Sequence, residues 1–291
     1  MTQWKYIGSL AGVHGECPNL FKLDDKWVLL TSGGASSKQL QYQIGSFDPR
    51  ELKFTLEKSG ILDHSYGSDW SDPMARGFYA TNILFDSKGR CILFGWVSGF
   101  KNEYGQFYGG AGQAEGRGWN GCLGLPRILT LGPDGRPRQT PVPELQKLRE
   151  KHVRVEALKL NRSDYLLDDV SDTLEILANF EPGDTKTFGL KVRRSGDGKS
   201  AITIRYDGEI LNVAGTKVPL KPGSEQKILT LHIFLDKSVM EVFINDGREC
   251  VTRVIYPGKN DLGIELFCEG GTTTVKSLNI WSIKPIWKPA K

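Results

Sequence analysis

The sequence has few of the features that mark membrane proteins, disulfide-rich proteins and metalloproteins. No apolar run approaches the roughly 18 residues of a membrane span. The five cysteines are odd in number, widely scattered and without CxxC spacing, and the chain has only four histidines. These absences argue against a membrane span, a disulfide framework and a zinc site. We therefore expect free thiols that are mostly buried.

The chain also has little excess of positive over negative charge. The formal net charge is +4 over 291 residues, and no block of Lys and Arg stands out. Charge therefore gives no support to nucleic-acid binding. The first six residues carry no apolar signal-peptide segment. That absence predicts a cytoplasmic protein if Met1 is the natural start and leaves secretion open if the chain is a fragment.

Helical periodicity is nearly absent, whereas short β-rich runs separated by turn residues recur along the whole chain. The runs of the first half form two successive groups of four. The first group is Cys17–Leu23, Lys26–Thr31, Gln41–Phe47 and Lys53–Lys58, and the second is Phe78–Phe85, Arg90–Val97, Cys122–Leu131 and Arg138–Val142. Two such groups predict either two β-propeller blades or one eight-stranded β-sandwich, and the strands alone slightly favour the sandwich.

A domain boundary is predicted where two prolines, Pro141 and Pro143, end a strand and the next residues suit a short helical connector. We assign 1–143 to the first domain, 144–152 to a linker and 153–291 to a second all-β domain. About eight strands predict a β-sandwich there. They are Leu174–Phe180, Phe188–Arg194, Ala201–Tyr206, Ile228–Leu235, Met240–Ile244, Cys250–Ile255, Gly263–Cys268 and Thr274–Ile283.

The second domain shows a strong turn but no catalytic pattern. Asn245-Asp246-Gly247 predicts a hairpin, because Asp-Gly tolerates the positive φ angles of a type I′ turn. Paired carboxylates, a Ser/His couple and a Gly-rich phosphate loop are all absent from this part of the sequence. Asp236 and Glu241 are interpreted as structural residues at strand ends.

One short stretch near the N-terminus carries the best chemical candidate. His14-Gly15-Glu16-Cys17-Pro18 places a carboxylate in a turn bounded by Gly and Pro, immediately before an apolar run. From this peptide alone, an ordinary surface glutamate is the favoured interpretation.

Together with three further segments, Glu16-Cys17-Pro18 resembles glycoside hydrolase family 32, the β-fructofuranosidases. The other segments are Gly77–Trp96, Trp119–Arg127 and Leu235–Gly247, which are similar to the family's FYA…GRRILxGW, WxGxLSLPR and D-x-S-x-x-E-V-F-x-N-D-G sequences. Their order and approximate spacing agree over nearly the whole chain. The resemblance implies a five-bladed propeller, of which this chain holds about two blades, followed by a β-sandwich.

The resemblance also implies roles for four residues. Glu16 corresponds to the general acid/base, and Cys17 would lie beside it and help tune the carboxyl, with an ordinary buried thiol as the alternative. Tyr79 and Trp96 match positions that line the substrate pocket, with packing in the blade core as the alternative. No cofactor and no metal are implied, because this chemistry uses two carboxylates.

The departures from the family are as specific as the matches. The WMNDPNG-like motif with the nucleophilic Asp and the FRDP motif both precede ECP in the family, and neither is present in this chain. Ser71-Asp72-Pro73 imitates RDP but follows Glu16 and lacks the Arg. Asp63 and Asp69 are weak candidates for a replacement carboxylate. Trp119 and Asn120 could form a pocket wall, although a structural turn is favoured.

The sequence therefore predicts part of a retaining hydrolase of β-fructofuranosides of the sucrose, inulin or levan type. Glu16 would be its acid/base, and its nucleophile is missing from this chain. The alternative is a non-catalytic propeller–sandwich that binds fructans. Because two blades cannot close a ring, we expect self-association, a partner chain or further sequence to complete the propeller. A fructose-containing saccharide is the expected ligand, and neither nucleic acid nor a membrane is expected.

Overall fold

The computed structural model describes residues 3, 5, 6, 8, 14–33, 39–65, 77–98, 121–167, 170–220 and 227–287. Within these ranges the chain forms 21 β-strands and one short 3₁₀ helix, which confirms the all-β prediction. No helix in the described ranges is long and apolar enough to cross a membrane.

The first sheet is an antiparallel meander whose strands follow chain order. It comprises β1 (Glu16–Leu23), β2 (Lys26–Ser32), β3 (Leu40–Asp48) and β4 (Lys53–Asp63). Asp24 adopts φ 55° in the two-residue turn between β1 and β2, a conformation that Asp tolerates better than most residues. The fourth strand runs five residues beyond its predicted end at Lys58.

The second sheet has the order β5-β6-β8-β9, with the short β7 paired to β6. Its strands are β5 (Phe78–Phe85), β6 (Cys91–Val97), β7 (Cys122–Leu123), β8 (Arg127–Leu131) and β9 (Pro137–Pro141). The prediction of one continuous strand over Cys122–Leu131 is wrong. The ladder breaks because Pro126 has no N–H and because the Leu125 N–H donates to the Glu241 carboxylate at 2.8 Å instead of to a strand.

A 3₁₀ helix at Pro143–Leu148 connects these sheets to two further six-stranded sheets that face each other as a sandwich. Residues 149–152, assigned above to the linker, lie in the long strand that follows. The sandwich strands are β10 (Arg149–Asn161), β11 (Tyr165–Leu167), β12 (Thr173–Pro182), β13 (Thr187–Arg194), β14 (Ile202–Tyr206), β15 (Ile210–Val213), β16 (Thr216–Pro219), β17 (Leu229–Asp236), β18 (Val239–Ile244), β19 (Glu249–Val254), β20 (Gly263–Glu269) and β21 (Thr272–Ile283).

The sandwich core is filled by the inward faces of both sheets. Leu, Ile, Val and Phe side chains from β12, β17 and β18 pack against those of β13, β14 and β20. The predicted hairpin at Asn245-Asp246-Gly247 is confirmed: it joins β18 to β19, and all three residues have positive φ. The eight-strand prediction missed β10, β11, β15 and β16. β10 is mostly exposed and rich in charged residues, so it lacks the apolar signal of a core strand.

The blade-like sheets and the sandwich share one interface along β19. The edge of this strand is paired by the chain that leaves β4: the His64 N–H donates to the Cys250 carbonyl at 2.9 Å. The Thr252 N–H donates to the Asp63 carboxylate at 3.2 Å. Val254 packs into the apolar core of the first two sheets. An edge that would otherwise be open is therefore covered by the neighbouring unit.

Candidate active site

Glu16 stands at the first position of β1, where the strand is distorted. Glu16 is exposed and is the cross-strand partner of Ser32 on β2. The register shifts before the next pair, Asn19 with Leu30. Gly15 has φ +120°, and a Cβ added there would lie 2.4 Å from the Gly33 carbonyl oxygen. A side chain at position 15 would clash with this carbonyl, so the backbone conformation directly before Glu16 requires glycine.

Tyr79 forms the second part of the site. It is buried near the start of β5, and its hydroxyl donates to Oε2 of Glu16 at 2.8 Å. The same hydroxyl oxygen lies 3.2 Å from the Ser32 carbonyl oxygen. The structure thus brings together Glu16 and Tyr79, which are 63 residues apart in sequence and belong to different sheets.

Asn19 holds the two strand starts together, a role that sequence reasoning missed. Its amide nitrogen lies 2.9 Å from the carbonyl of Cys17 and 2.8 Å from the carbonyl of Thr81, and it donates to both. β5 carries its own register shift between Tyr79 and Asn82, so the amide joins two bulges that face each other. The available signal is an Asn directly after the Cys17-Pro18 pair. Its contact with the second sheet was not visible in the sequence.

Trp96 and Cys17 lie beside this pair. Trp96 is the cross-strand partner of Tyr79 on β6 and is half-buried. A Cβ added to Gly121 would lie 2.0 Å from Nε1 of Trp96, so the absence of a side chain at 121 leaves room for the indole edge. Cys17 is exposed with φ 49°, so the alternative of an ordinary buried thiol is wrong.

Asp63 cannot act as the replacement carboxylate, and that hypothesis is wrong. Its side chain is completely buried, and Oδ2 accepts hydrogen bonds at 2.9 Å from both Arg127 and Thr252. Its Oδ1 accepts from Ser65 and from the Thr252 backbone. Burial opposes ionisation, but the Arg127 guanidinium and these hydrogen bonds hold the pKa of Asp63 below its usual value. The group is charged, fully occupied and out of reach of a substrate.

Arg127 is the centre of this buried network. It donates to Asp63 at 2.9 Å and to Glu241 at 2.7 Å, and its guanidinium carbon lies 3.7 Å above the ring of Phe78. Glu241 is a structural residue, as expected, but it lies in the middle of β18 and not at a strand end. Two of the segments quoted above, Trp119–Arg127 and Leu235–Gly247, therefore meet at the interface between the sheets and the sandwich.

Several expected positions fall outside the described residues. They are Asp69, Ser71-Asp72-Pro73, Trp119 and Asn120. Among the residues that the structure does describe, no group of three or more His, Cys, Asp or Glu side chains could hold a metal ion. The described site offers one accessible carboxylate with a phenol donor and an indole beside it. Such a site can move a proton at a sugar oxygen and stack on a sugar ring.

Known proteins carry the same two units in the same order. The sequence profile for the glycosyl hydrolases family 32 N-terminal domain matches residues 1–141, and that for the family's C-terminal domain matches residues 144–282. A levanase of Bacillus subtilis (strain 168) is 30% identical over 99% of this chain and 46% of its own length. A sucrose-6-phosphate hydrolase of Zymomonas mobilis is 28% identical over 98% of this chain and 58% of its own length. The chain thus spans about half the length of these curated relatives.

Solved structures agree on the fold. Fructan 1-exohydrolase IIa from Cichorium intybus superposes with a TM-score of 0.75 at 18% identity, over 92% of this chain and 61% of that one. Exo-inulinase from Aspergillus awamori gives 0.72 at 21% identity, over 95% and 59%. The prediction of propeller blades followed by a β-sandwich is confirmed, and the eight-stranded sandwich alternative for the first half is wrong. The chain belongs to glycoside hydrolase family 32.

Proposed function

We propose that this chain carries the acid/base half of the active site of a retaining β-fructofuranosidase. The observation that supports it is the hydrogen bond from the buried Tyr79 hydroxyl to Glu16, inside the segments that resemble the family's catalytic motifs. Glu16 would protonate the glycosidic oxygen as the fructosyl group leaves and then deprotonate the attacking water.

The neighbouring residues have supporting roles in this proposal. Tyr79 orients the carboxyl of Glu16, because one Oε2 lone pair is fixed by the phenol. Trp96 offers an aromatic edge or face to the fructose ring, and Cys17 forms the exposed lip next to the carboxyl. Sucrose, inulin and levan are the substrates to be tested, in line with the names of the relatives.

A retaining mechanism needs a second carboxylate about 5–5.5 Å from the first. Asp63 is sealed in the Arg127 network, so we propose that the nucleophile comes from outside the described residues. A partner chain, a second copy or further sequence that completes the propeller would supply it. We propose a division of the chain into blades over 1–143, a linker that begins at 144 and a sandwich that ends at 291, with residues 149–152 of the expected linker belonging to the sandwich strand β10.

Hydrolysis assays with one matched control test the proposal. With the propeller completed by the partner chain, second copy or further sequence that supplies the nucleophile, we expect release of fructose from sucrose, inulin or levan, and a loss of about 10²–10⁴-fold in kcat for Glu16→Gln. Glu57→Gln is the control, because Glu57 is an exposed glutamate of the same sheet that pairs with Lys26 at 2.7 Å. Equal activity of both variants would contradict the role of Glu16.

The second candidate is a fructan-binding protein without turnover. The burial of Asp63 favours it, since no replacement nucleophile is found at that position. Saccharide binding by the protein with its propeller completed, with no hydrolysis of any of the three substrates and no effect of Glu16→Gln on that result, would select this candidate.

A further inference from the structure

A cleft of about 560 Å³ opens on the sandwich and is lined entirely by sandwich residues. Its walls come from β14, from β15 and the turn that follows it, and from the segment that leaves β19. None of these elements carries Glu16, Tyr79 or Trp96, so the cleft is distinct from the site described above.

One end of the cleft is rich in hydrogen-bond donors. Arg205 and Asn212 are direct cross-strand partners on β14 and β15, so their side chains lie on the same face of the sheet. Asn212 uses its Oδ1 to accept the Gly215 N–H at 2.8 Å, which directs the amide donor away from the turn. Among the described residues, the amide nitrogen of Asn212 has no acceptor. It is held in one orientation and is available to a ligand.

The charge at this end is already balanced. Nη2 of Arg205 contacts Oε2 of Glu269 at 3.0 Å, and both side chains are about half exposed. The remaining guanidinium N–H groups can donate to a neutral oxygen, but the paired carboxylate disfavours an anionic ligand. This combination fits hydroxyl oxygens better than a phosphate or a carboxylate.

The rest of the cleft lining includes small side chains and one aromatic ring. Ala201, Ala214 and Gly215 form part of the lining, and a Cβ added to Gly215 would meet nothing within 4 Å. Tyr256, which is 40% exposed, lines the cleft from the segment after β19, and Thr203 adds a hydroxyl. Small side chains, one exposed aromatic and a few fixed donors are the components of a sugar site, because a sugar ring has an apolar face and a rim of hydroxyls.

We propose that this cleft is a second saccharide site, which holds a fructose unit of an oligo- or polysaccharide while another part of the polymer is at Glu16. The geometry argues for a neutral sugar. The choice of fructose rests on the proposed function. A site on the sandwich would raise the local concentration of polymer at the propeller sheets without new contacts there.

Affinity electrophoresis of the full chain tests the proposal, with Glu16→Gln present in every protein to prevent turnover. Gels contain levan, inulin or dextran. We expect levan or inulin to retard the protein, and Tyr256→Ala to weaken that binding about tenfold through loss of the aromatic face. Tyr256→Phe should retain the binding.

Asn212→Asp separates binding from folding. It preserves an oxygen acceptor for the Gly215 N–H but removes the amide donor, so we expect weaker retardation with an unchanged melting temperature. Trp287→Ala is the matched control, since Trp287 is 80% exposed and lies outside the cleft. Its mobility should equal that of the parent.

Three outcomes would overturn the inference: no retardation by any polymer, retardation by dextran alone, or retardation that Tyr256→Ala and Asn212→Asp leave unchanged. Hydrolysis is measured in parallel on the protein with Glu16 intact and with its propeller completed as in the proposed function. Hydrolysis without sandwich binding contradicts this inference alone, whereas sandwich binding without hydrolysis contradicts the proposed function alone.

Discussion

Replacing Arg127 by Met should destabilise the protein more than any exposed charge substitution. The guanidinium is completely buried, as is Asp63, and the Glu241 side chain is only 4% exposed. Arg127→Met keeps much of the side-chain volume but leaves two buried carboxylates without their cation. Removing one partner of a buried ion pair costs about 3–5 kcal/mol. At about 2–4 °C per kcal/mol, the melting temperature should fall by roughly 6–20 °C.

The individual carboxylates are expected to matter less than the cation. Glu241→Gln leaves Arg127 paired with Asp63 and keeps an acceptor for the Leu125 N–H, so we expect the free energy of unfolding to fall by about 1–3 kcal/mol. Combining Arg127→Met with Asp63→Asn and Glu241→Gln removes all three charges. This combination should recover part of the lost free energy of unfolding, because the single substitution destabilises the protein mainly by leaving two buried carboxylates unpaired.

The pH dependence gives an independent readout of the same substitution. With Arg127 present, the pKa of Asp63 is lower in the folded state than in the unfolded state. The ionised carboxylate therefore stabilises the protein at pH values above the unfolded-state pKa, and this stabilisation is lost as pH falls through the folded-state pKa. Without the guanidinium, burial dominates and the pKa of Asp63 rises. The penalty of Arg127→Met should therefore be largest at neutral pH and shrink in acid.

Urea and thermal unfolding, followed by tryptophan fluorescence, measure these differences. Lys26→Met is the control, because the Lys26–Glu57 pair is exposed and should contribute less than about 1 kcal/mol. If Arg127→Met costs no more than Lys26→Met, or if its penalty does not depend on pH, the account of the buried network is wrong.

Three further expectations concern the site and its surroundings. Tyr79→Phe removes the hydrogen bond to Glu16 and should lower kcat/KM by about tenfold in fructoside hydrolysis, with no change in activity counting against the orienting role. Gly15→Ala forces a Cβ toward a carbonyl oxygen at φ +120° and should lower the melting temperature, whereas an unchanged melt would show that the turn can relax. The hydrogen bond from Arg90 lowers the pKa of Glu144 to about 2, so the protein should lose the stabilisation from this carboxylate as pH falls from about 4.5 to 2. Glu144→Gln should make the free energy of unfolding fall less over this range, and an unchanged fall would contradict this.

The sequence was sufficient for elements with local signals. Phe78–Phe85 is predicted with its observed bounds, because it is an apolar β-rich run bounded by Gly77 and by the Ser87-Lys88-Gly89 turn. The hairpin at Asn245-Asp246-Gly247 follows from the backbone preferences of three adjacent residues. In both cases the residues that decide the structure are neighbours in the chain.

The Arg127 network could not be predicted in the same way. Arg127 contacts Asp63 and Glu241 from 64 and 114 residues away, and only the folded interface brings them together. In the sequence Asp63 is an isolated carboxylate next to a polar loop, which makes it a weak candidate for the nucleophile. The Tyr79–Glu16 contact lacks a local signal too, and only the resemblance to a family points to both residues.

The contact between Arg127 and Phe78 links unfolding of the sandwich to the geometry of the Glu16 carboxyl. Phe78 immediately precedes Tyr79, and the guanidinium above its ring is neutralised in part by Glu241 of the sandwich. Excising the sandwich would expose this cation to water and loosen the strand that presents the phenol. Heat capacity measurements should accordingly record one cooperative transition, and a gene shortened after residue 143 should yield insoluble protein.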